Sequence, residues 1–254
     1  MGEKEIHISN RDNKKMKLEI CIHCYNYQKR LCWMLSSILN QKGDIPDIVV
    51  SLSYVPGNGN PASEDVIDFF EDKGLNIIRV PLKEEDGKNR AIPRNIRAGE
   101  TDADWILFAD SDMVYCPEFF ADIKKQLETD KFKKETKVIG ADRHSLDIEF
   151  SLKYFEEDNR VYPCDVSDGS VIASKWPKKW IRGKETAAGY FQLARVERIK
   201  ERGGIYSGRK RDVWRRTKSD RQFRCHLGGR VPMNVKPQYH LNHSREDNDS
   251  TEQR

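Results

Sequence analysis

No apolar run in this chain of 254 residues comes near the ~20 needed for a helical membrane span, so such a span is excluded. No Gly-x-Gly-x-x-Gly follows the first predicted strand and no P-loop sequence occurs, which removes the usual dinucleotide site and the Walker-type phosphate cradle. Cysteines are few: Cys21-Ile-His-Cys24 has zinc-knuckle spacing, but no second Cys-x-x-Cys follows, and Cys32, Cys116, Cys164 and Cys225 are scattered. A buried structural pair is the expectation for Cys21 and Cys24. The first residues, Met-Gly-Glu-Lys-Glu-Ile-His, lack the apolar stretch of a signal peptide, and Ile6 stands where N-myristoylation wants Ser or Thr. The expectation is therefore a cytoplasmic chain with reduced thiols.

What is present is a polar surface around one core. Charged residues are 34% and hydrophobic residues 37%, and the length suits a single domain. Strand periodicity covers Lys17–His23, Asp47–Val55, Asn76–Val80, Trp105–Ala109 and Lys137–Ala141. Helical spacing places Leu31, Met34, Leu35, Ile38 and Leu39 on one face, then Val66, Phe69 and Phe70 behind a cap at Ser63. A short helix with Pro93 in its first turn precedes the central strand, and a helix opened by Pro117 carries Phe119, Phe120, Ile123 and Leu127 inward. Alternating strands and helices predict an α/β fold with a mostly parallel, helix-covered sheet of nucleotide-binding type. After about residue 142 the pattern loosens, with a strand within 187–194, a short helix from Val196 and a break at Gly203-Gly204. The organisation read from this is a tail at 1–16, one domain at 17–245 with halves 17–141 and 142–245, and a polar tail at 246–254.

The central run Trp105-Ile-Leu-Phe-Ala109 ends in Asp110-Ser111-Asp112. Five apolar residues read as a strand buried on both faces, and ligands of open α/β sheets bind just beyond such carboxyl ends. Residues two apart in an extended chain point the same way, so Asp110 and Asp112 are candidates to share a divalent cation and, through it, a diphosphate. A solvated Asp-Ser-Asp turn would use the same residues, so the carboxylates take their meaning from the strand before them.

With those pieces in place the chain resembles nucleotide-sugar glycosyltransferases of the GT-A fold, of the family-2 type, over about residues 17–245. The resemblance is carried by Tyr25-Asn26 with Leu35-Ser-Ser-Ile-Leu-Asn-Gln41, by Arg94-Asn95, by Asp110-Ser-Asp112, and by Gly203-Gly204 followed by Ser219-Asp-Arg-Gln-Phe-Arg224. It implies a Rossmann-like nucleotide-binding half and a less regular acceptor half. It also implies Mn2+ or Mg2+ and a nucleotide-diphosphate sugar, a UDP sugar foremost. Tyr25 and Asn26 would meet the nucleotide, Arg94 the diphosphate or sugar, and Asp110 the ribose or sugar side. Asp112 would hold the metal together with Asp110 and a late histidine, His243 first and His240 in reserve. Asp220 would be the general base of an inverting hexosyl or pentosyl transfer. Trp214 offers a stacking surface, as does Trp180, although both also suit core packing. The sequence departs from the family after the second strand, where Ser51-Leu-Ser-Tyr54 replaces an Asp-rich turn that reads the base.

Charge is uneven. The net value is +4, yet residues 195–230 hold 13 Lys or Arg against 4 Asp or Glu. That excess expects an anionic partner; the acceptor expected is anionic or a saccharide, and hydroxymethylated pyrimidines of DNA are the alternative, with Arg209, Lys210, Arg211, Arg215 and Arg216 on phosphates. A nucleotidyltransferase and a non-catalytic nucleic-acid-binding protein are the competing classes.

Overall fold

The computed structural model describes residues 15–59, 62–145, 190–204, 223–236 and 238–241. The first half runs β1 (Lys17–His23), α1 (Gln28–Leu39), β2 (Asp47–Tyr54), α2 (Ser63–Asp72), β3 (Ile77–Pro81), α3 (Ala91–Glu100) and β4 (Trp105–Asp110). It continues through β5 (Met113–Tyr115), α4 (Phe119–Leu127), α5 (Asp130–Lys133), β6 (Val138–Ala141) and β7 (His144–Ser145). The later described elements are β8 (Phe191–Arg195), α6 (Val196–Glu201), β9 (Arg230–Met233) and β10 (Gln238–His240), with a helical turn at 223–226.

Among the described residues the main sheet has the order β3-β2-β1-β4-β8-β6-β9, and β5-β10-β7 form a smaller one. Strands β3, β2, β1 and β4 are mutually parallel, as short strands joined by helices require. Beyond β4 the sheet is no longer wholly parallel. Strand β8 enters antiparallel to both β4 and β6, and β6 then pairs parallel with β9, so the sheet is mixed and draws strands from beyond residue 142. The expected strand within 187–194 becomes Phe191–Arg195, and Ala62 rather than Ser63 precedes α2 as its cap.

Both faces of the sheet are covered. Leu18, Ile20 and Ile22 of β1 and Trp105 and Leu107 of β4 pack with α1, α2 and α4, while Cys21, Ile106 and Phe108 meet Ala98, Ile199 and Phe223 on the other side. Burial pushes the Cys21 thiol up to about 12, and Cys24 is also buried, so both pack into the core as expected of structural cysteines. The Asn40-Gln41 end of α1 stitches the next layer. Gln41 donates to the carbonyls of Ser37 and Cys116 at 2.8 Å each and accepts from the Phe120 N–H at 3.0 Å, which satisfies an open donor at the start of α4.

Helix α3 is pinned to the sheet by charge. Arg97 donates from Nε and Nη2 to the two oxygens of Glu19 in β1 at 2.8 and 3.0 Å, with both side chains almost sealed from solvent. Removing one partner of such a pair leaves a bare buried charge, whereas replacing both with apolar groups does not. Glu19→Ala is expected to lower unfolding free energy by roughly 3–5 kcal/mol in urea titrations, and Glu19→Leu with Arg97→Met to lower it far less. Equal losses in the two variants would mean that the ion pair is not what holds α3.

Candidate functional site

Strands β1 and β4 lie side by side with His23 opposite Asp110, so both chains leave the sheet at the same carboxyl edge. A pocket opens there, lined by His23, Tyr25, Tyr27, Lys88, Arg90, Arg94, Ala109 and Asp110-Ser111-Asp112. Four of the residues singled out in the sequence, Tyr25, Arg94, Asp110 and Asp112, are thus brought together. The route differs from the expected one. The chain does not stay extended: Asp110 ends β4, and Ser111-Asp112 form the turn into β5. The turn, not strand alternation, aims the second carboxylate.

Asp110 is held by cations. Its Oδ1 lies 2.9 Å from Arg90 Nη1 and 3.8 Å from Arg94 Nη2. Arg94 is almost wholly buried, its guanidinium 5.4 Å from the centroid of the Phe108 ring. Asp112 is buried and its Oδ2 lies 3.1 Å from Nε2 of His240, brought over by β10, whose pairing with β5 sets His240 opposite Met113. The Leu241 N–H also donates to the Asp112 carbonyl at 2.9 Å. Beneath this corner the Tyr115 phenol is fully buried; burial, then the nearby Asp110 and Asp112 carboxylates, push its ionisation up, so it stays neutral.

The pocket's other wall is loop 82–90. His23 donates from Nε2 to the Gly87 carbonyl at 2.8 Å, and its Nδ1 shares a 2.9 Å hydrogen bond with Ser53, whose hydroxyl is 3.1 Å from the Ile22 carbonyl. Tyr25 donates to Glu84 at 3.1 Å, and Lys88 Nζ stands 5.7 Å from the Tyr25 ring centroid. Asn26 does not line the pocket. It takes a left-handed φ of 60°, a value Asn tolerates, and its N–H donates to Asn58 at 3.3 Å, so it shapes the turn from β1 into α1.

Asp220, Trp214 and His243 lie outside the described residues, as do Trp180 and the basic run Arg209–Arg216. Sequence reasoning missed His23, Lys88 and Arg90. His23 was signalled as the last residue of a predicted strand, and Arg90 stands four residues before Arg94, on the same helical face. The donor set at Asp110, Asp112 and His240, two carboxylates with an imidazole, fits Mn2+ or Mg2+ by chemistry. Among the described residues no three His, Cys, Asp or Glu side chains form a group that could hold a metal ion by themselves.

Helices on both faces of a mixed sheet, with an acidic turn and arginines at its carboxyl edge, define the nucleotide-binding α/β class built on the GT-A fold. Residues 17–158 match the family described as Glycosyltransferase like family 2, and the chain belongs to that family. No curated protein matches the sequence. Among solved structures, S. aureus TarS 1–349 in complex with UDP-GlcNAc is 15% identical with a TM-score of 0.60, covering 93% of this chain and 61% of that one. Mannosyltransferase PcManGT from Pyrobaculum calidifontis in complex with GDP-Man and Mn2+ is 11% identical with a TM-score of 0.59, covering 92% and 59%. A longer S. aureus TarS structure is covered over 36% of its length, at 14% identity and a TM-score of 0.55. The chain thus spans less than two thirds of each of these proteins, and the likeness is one of fold.

The close packing of loop 82–90 is directly testable. A Cβ added at Gly87 would lie 2.6 Å from both Tyr25 Cε2 and Val55 Cγ2, so the loop must shift to admit it. Gly87→Ala should destabilise the fold by roughly 1–3 kcal/mol in urea unfolding and weaken nucleotide binding in the same preparation. Unaltered nucleotide affinity would separate this loop from the pocket's function.

Proposed function

We propose that the protein is a metal-dependent glycosyltransferase that moves a sugar from a nucleotide-diphosphate donor, a UDP sugar foremost, to a hydroxyl acceptor in one inverting displacement. The observation that carries the reading is the convergence of Asp110, Asp112, Arg90 and Arg94 at the carboxyl edge of β1 and β4, with His240 against Asp112. The UDP-GlcNAc in the TarS structure and the GDP-Man and Mn2+ in the PcManGT structure support it.

Asp112 with Asp110 and a late histidine, His240 or His243, would hold Mn2+ or Mg2+. Bound there, the ion supplies positive charge for the departing diphosphate. The protein's own groups do the rest. Arg90 and Arg94 are held beside Asp110 in the free protein and can turn their donors to phosphate oxygens, where guanidinium geometry favours bidentate contact. The Tyr25 ring, anchored through Glu84 and shielded by Lys88, offers the base a stacking surface near the pocket mouth. Because Ser53 is hydrogen-bonded inward to His23, base recognition falls to loop 82–90 rather than to the end of β2. Asp220 takes the proton of the attacking hydroxyl as general base. Three residues further along the chain, Phe223 packs edge-on against Phe108 at 5.3 Å between centroids, and Phe108 lies two residues before Asp110. Trp214 belongs to the same basic segment and is assigned to stacking on donor or acceptor.

Two variants test the roles separately. Asp112→Asn should keep the fold but lose the thermal stabilisation that UDP and Mn2+ together give the parent, a shift that mass action makes large once ligand far exceeds its Kd. Retention of a metal-dependent shift in Asp112→Asn would remove the carboxylate from the site. Asp220→Asn should bind donor as the parent does and transfer sugar roughly 100- to 10,000-fold more slowly. Transfer within a few-fold of the parent would reassign the base, with Asp212 next.

A further inference from the structure

Two arginines of the pocket face the same carboxylate, but they are held differently. Arg90 Nη1 lies 2.9 Å from Asp110 Oδ1, a full charge-assisted hydrogen bond, and its side chain is 27% exposed. Arg94 Nη2 stands 3.8 Å from the same oxygen, beyond hydrogen-bond reach, and its side chain is 3% exposed beside the Phe108 ring. Burial and the ring fix Arg94 in place. Arg90 occupies the cap before α3, and the helix itself is anchored through Arg97 and Glu19, so the Arg90 guanidinium can turn while the helix stays.

Asp112 faces an imidazole instead, Nε2 of His240 at 3.1 Å. The two carboxylates proposed to ligate the metal therefore start from different states, because Asp110 already engages a cation at one of the oxygens a metal would use. Arg90, Arg94, Asp110 and Asp112 all line one pocket. A divalent ion arriving alone meets a guanidinium hydrogen-bonded to its ligand, and like charges repel strongly where water is partly excluded. A diphosphate changes this, since its oxygens accept a guanidinium's paired donors as a carboxylate does. Once Arg90 turns to phosphate, Asp110 is released. Two ligands that depend on one side chain in opposite ways are thermodynamically coupled, and the coupling is reciprocal.

We infer that Arg90 is a latch on Asp110: it withholds that carboxylate from the metal in the free protein, and the donor's diphosphate draws it away, so nucleotide and metal bind together and neither binds well alone. This rests on the glycosyl-transfer reading of the pocket. Arg90 is thus a positioning residue for metal ligation as well as a contact for the diphosphate.

The test is Mn2+ titration of the full chain without nucleotide, followed by electron paramagnetic resonance of the free ion, together with calorimetric titration of UDP with and without Mn2+. In the parent, UDP should tighten Mn2+ roughly 5- to 150-fold, the usual span of coupling between two ligands. Arg90→Gln should bind Mn2+ alone roughly 10-fold more tightly than the parent and UDP alone roughly 10-fold more weakly, each the effect of about one charge-assisted contact. Opposite signs from one substitution separate a latch from a residue that only supports the fold, whose loss weakens both or neither. Arg90→Lys, which keeps the charge, should return Mn2+ affinity toward the parental value. In an Asp110→Asn background, Arg90→Gln should give no gain, because the carboxylate it would free is gone. Mn2+ affinity that fails to rise in Arg90→Gln overturns the latch. A rise that persists in the Asp110→Asn background overturns it too, since it then reports only the loss of a positive charge. If UDP with Mn2+ fails to bind the parent, the glycosyl-transfer reading falls instead, and the Mn2+ titrations without nucleotide still judge the latch.

Discussion

Helix α3 and the residue that caps its start lay three arginines on the sheet, and the site depends on how they are neutralised. Arg90, Arg94 and Arg97 recur at intervals of four and three, one face of a helix, and that face meets β1 and β4. Arg97 finds Glu19 deep in the sheet; Arg90 and Arg94 find Asp110 at its edge. The inner pair is sealed and fixes the helix. The outer pair is only partly shielded, with the Asp110 side chain 29% exposed, so its arginines can exchange partners without leaving a charge bare. One helix thus supplies both a rigid anchor and an adaptable anion-binding end.

The second carboxylate has a different constraint. Asp112 sits in the turn that reverses the chain into β5, and its orientation comes from β10: His240 bonds its side chain and Leu241 its carbonyl. Strand β10 in turn bridges β5 and β7, so the small sheet works as a brace for one side chain. Asp110 is adjusted by the helix before it and Asp112 by a strand far beyond it. Two carboxylates two residues apart therefore stand in different electrostatic surroundings, one beside cations and one beside an imidazole.

The mixed sheet also joins the donor edge to the rest of the chain. Because β8 runs against β4, Tyr190 arrives beside Ala109 at the same edge from which Asp110 leaves, and β6 and β9 extend that edge sideways. A wholly parallel arrangement would have sent the start of β8 to the opposite end. The antiparallel insertion is what places Tyr190, with Arg143 over its ring, on the pocket's side of the sheet, and Gly140 leaves the space that Arg230 fills.

Local pattern determined much of this protein. The apolar run at Trp105–Ala109 reads as a strand covered on both sides and is one, its residues buried on both faces, and the carboxylates follow where the run stops. The inward faces of α1 and α4 and the structural role of Cys21 and Cys24 were equally legible, since side-chain periodicity is a property of the neighbouring few residues. Tyr25, Arg94, Asp110 and Asp112 could be named because each lies near the end of such an element. What only the tertiary structure decided are the contacts between distant parts of the chain: the reversed direction of β8, His240 against Asp112 across 128 residues, His23 locked to loop 82–90, and Arg230 on Gly140. Strand direction and pairing follow from the path of the connecting chain and from burial summed over the whole sheet, and neither is encoded in the few residues that finally touch.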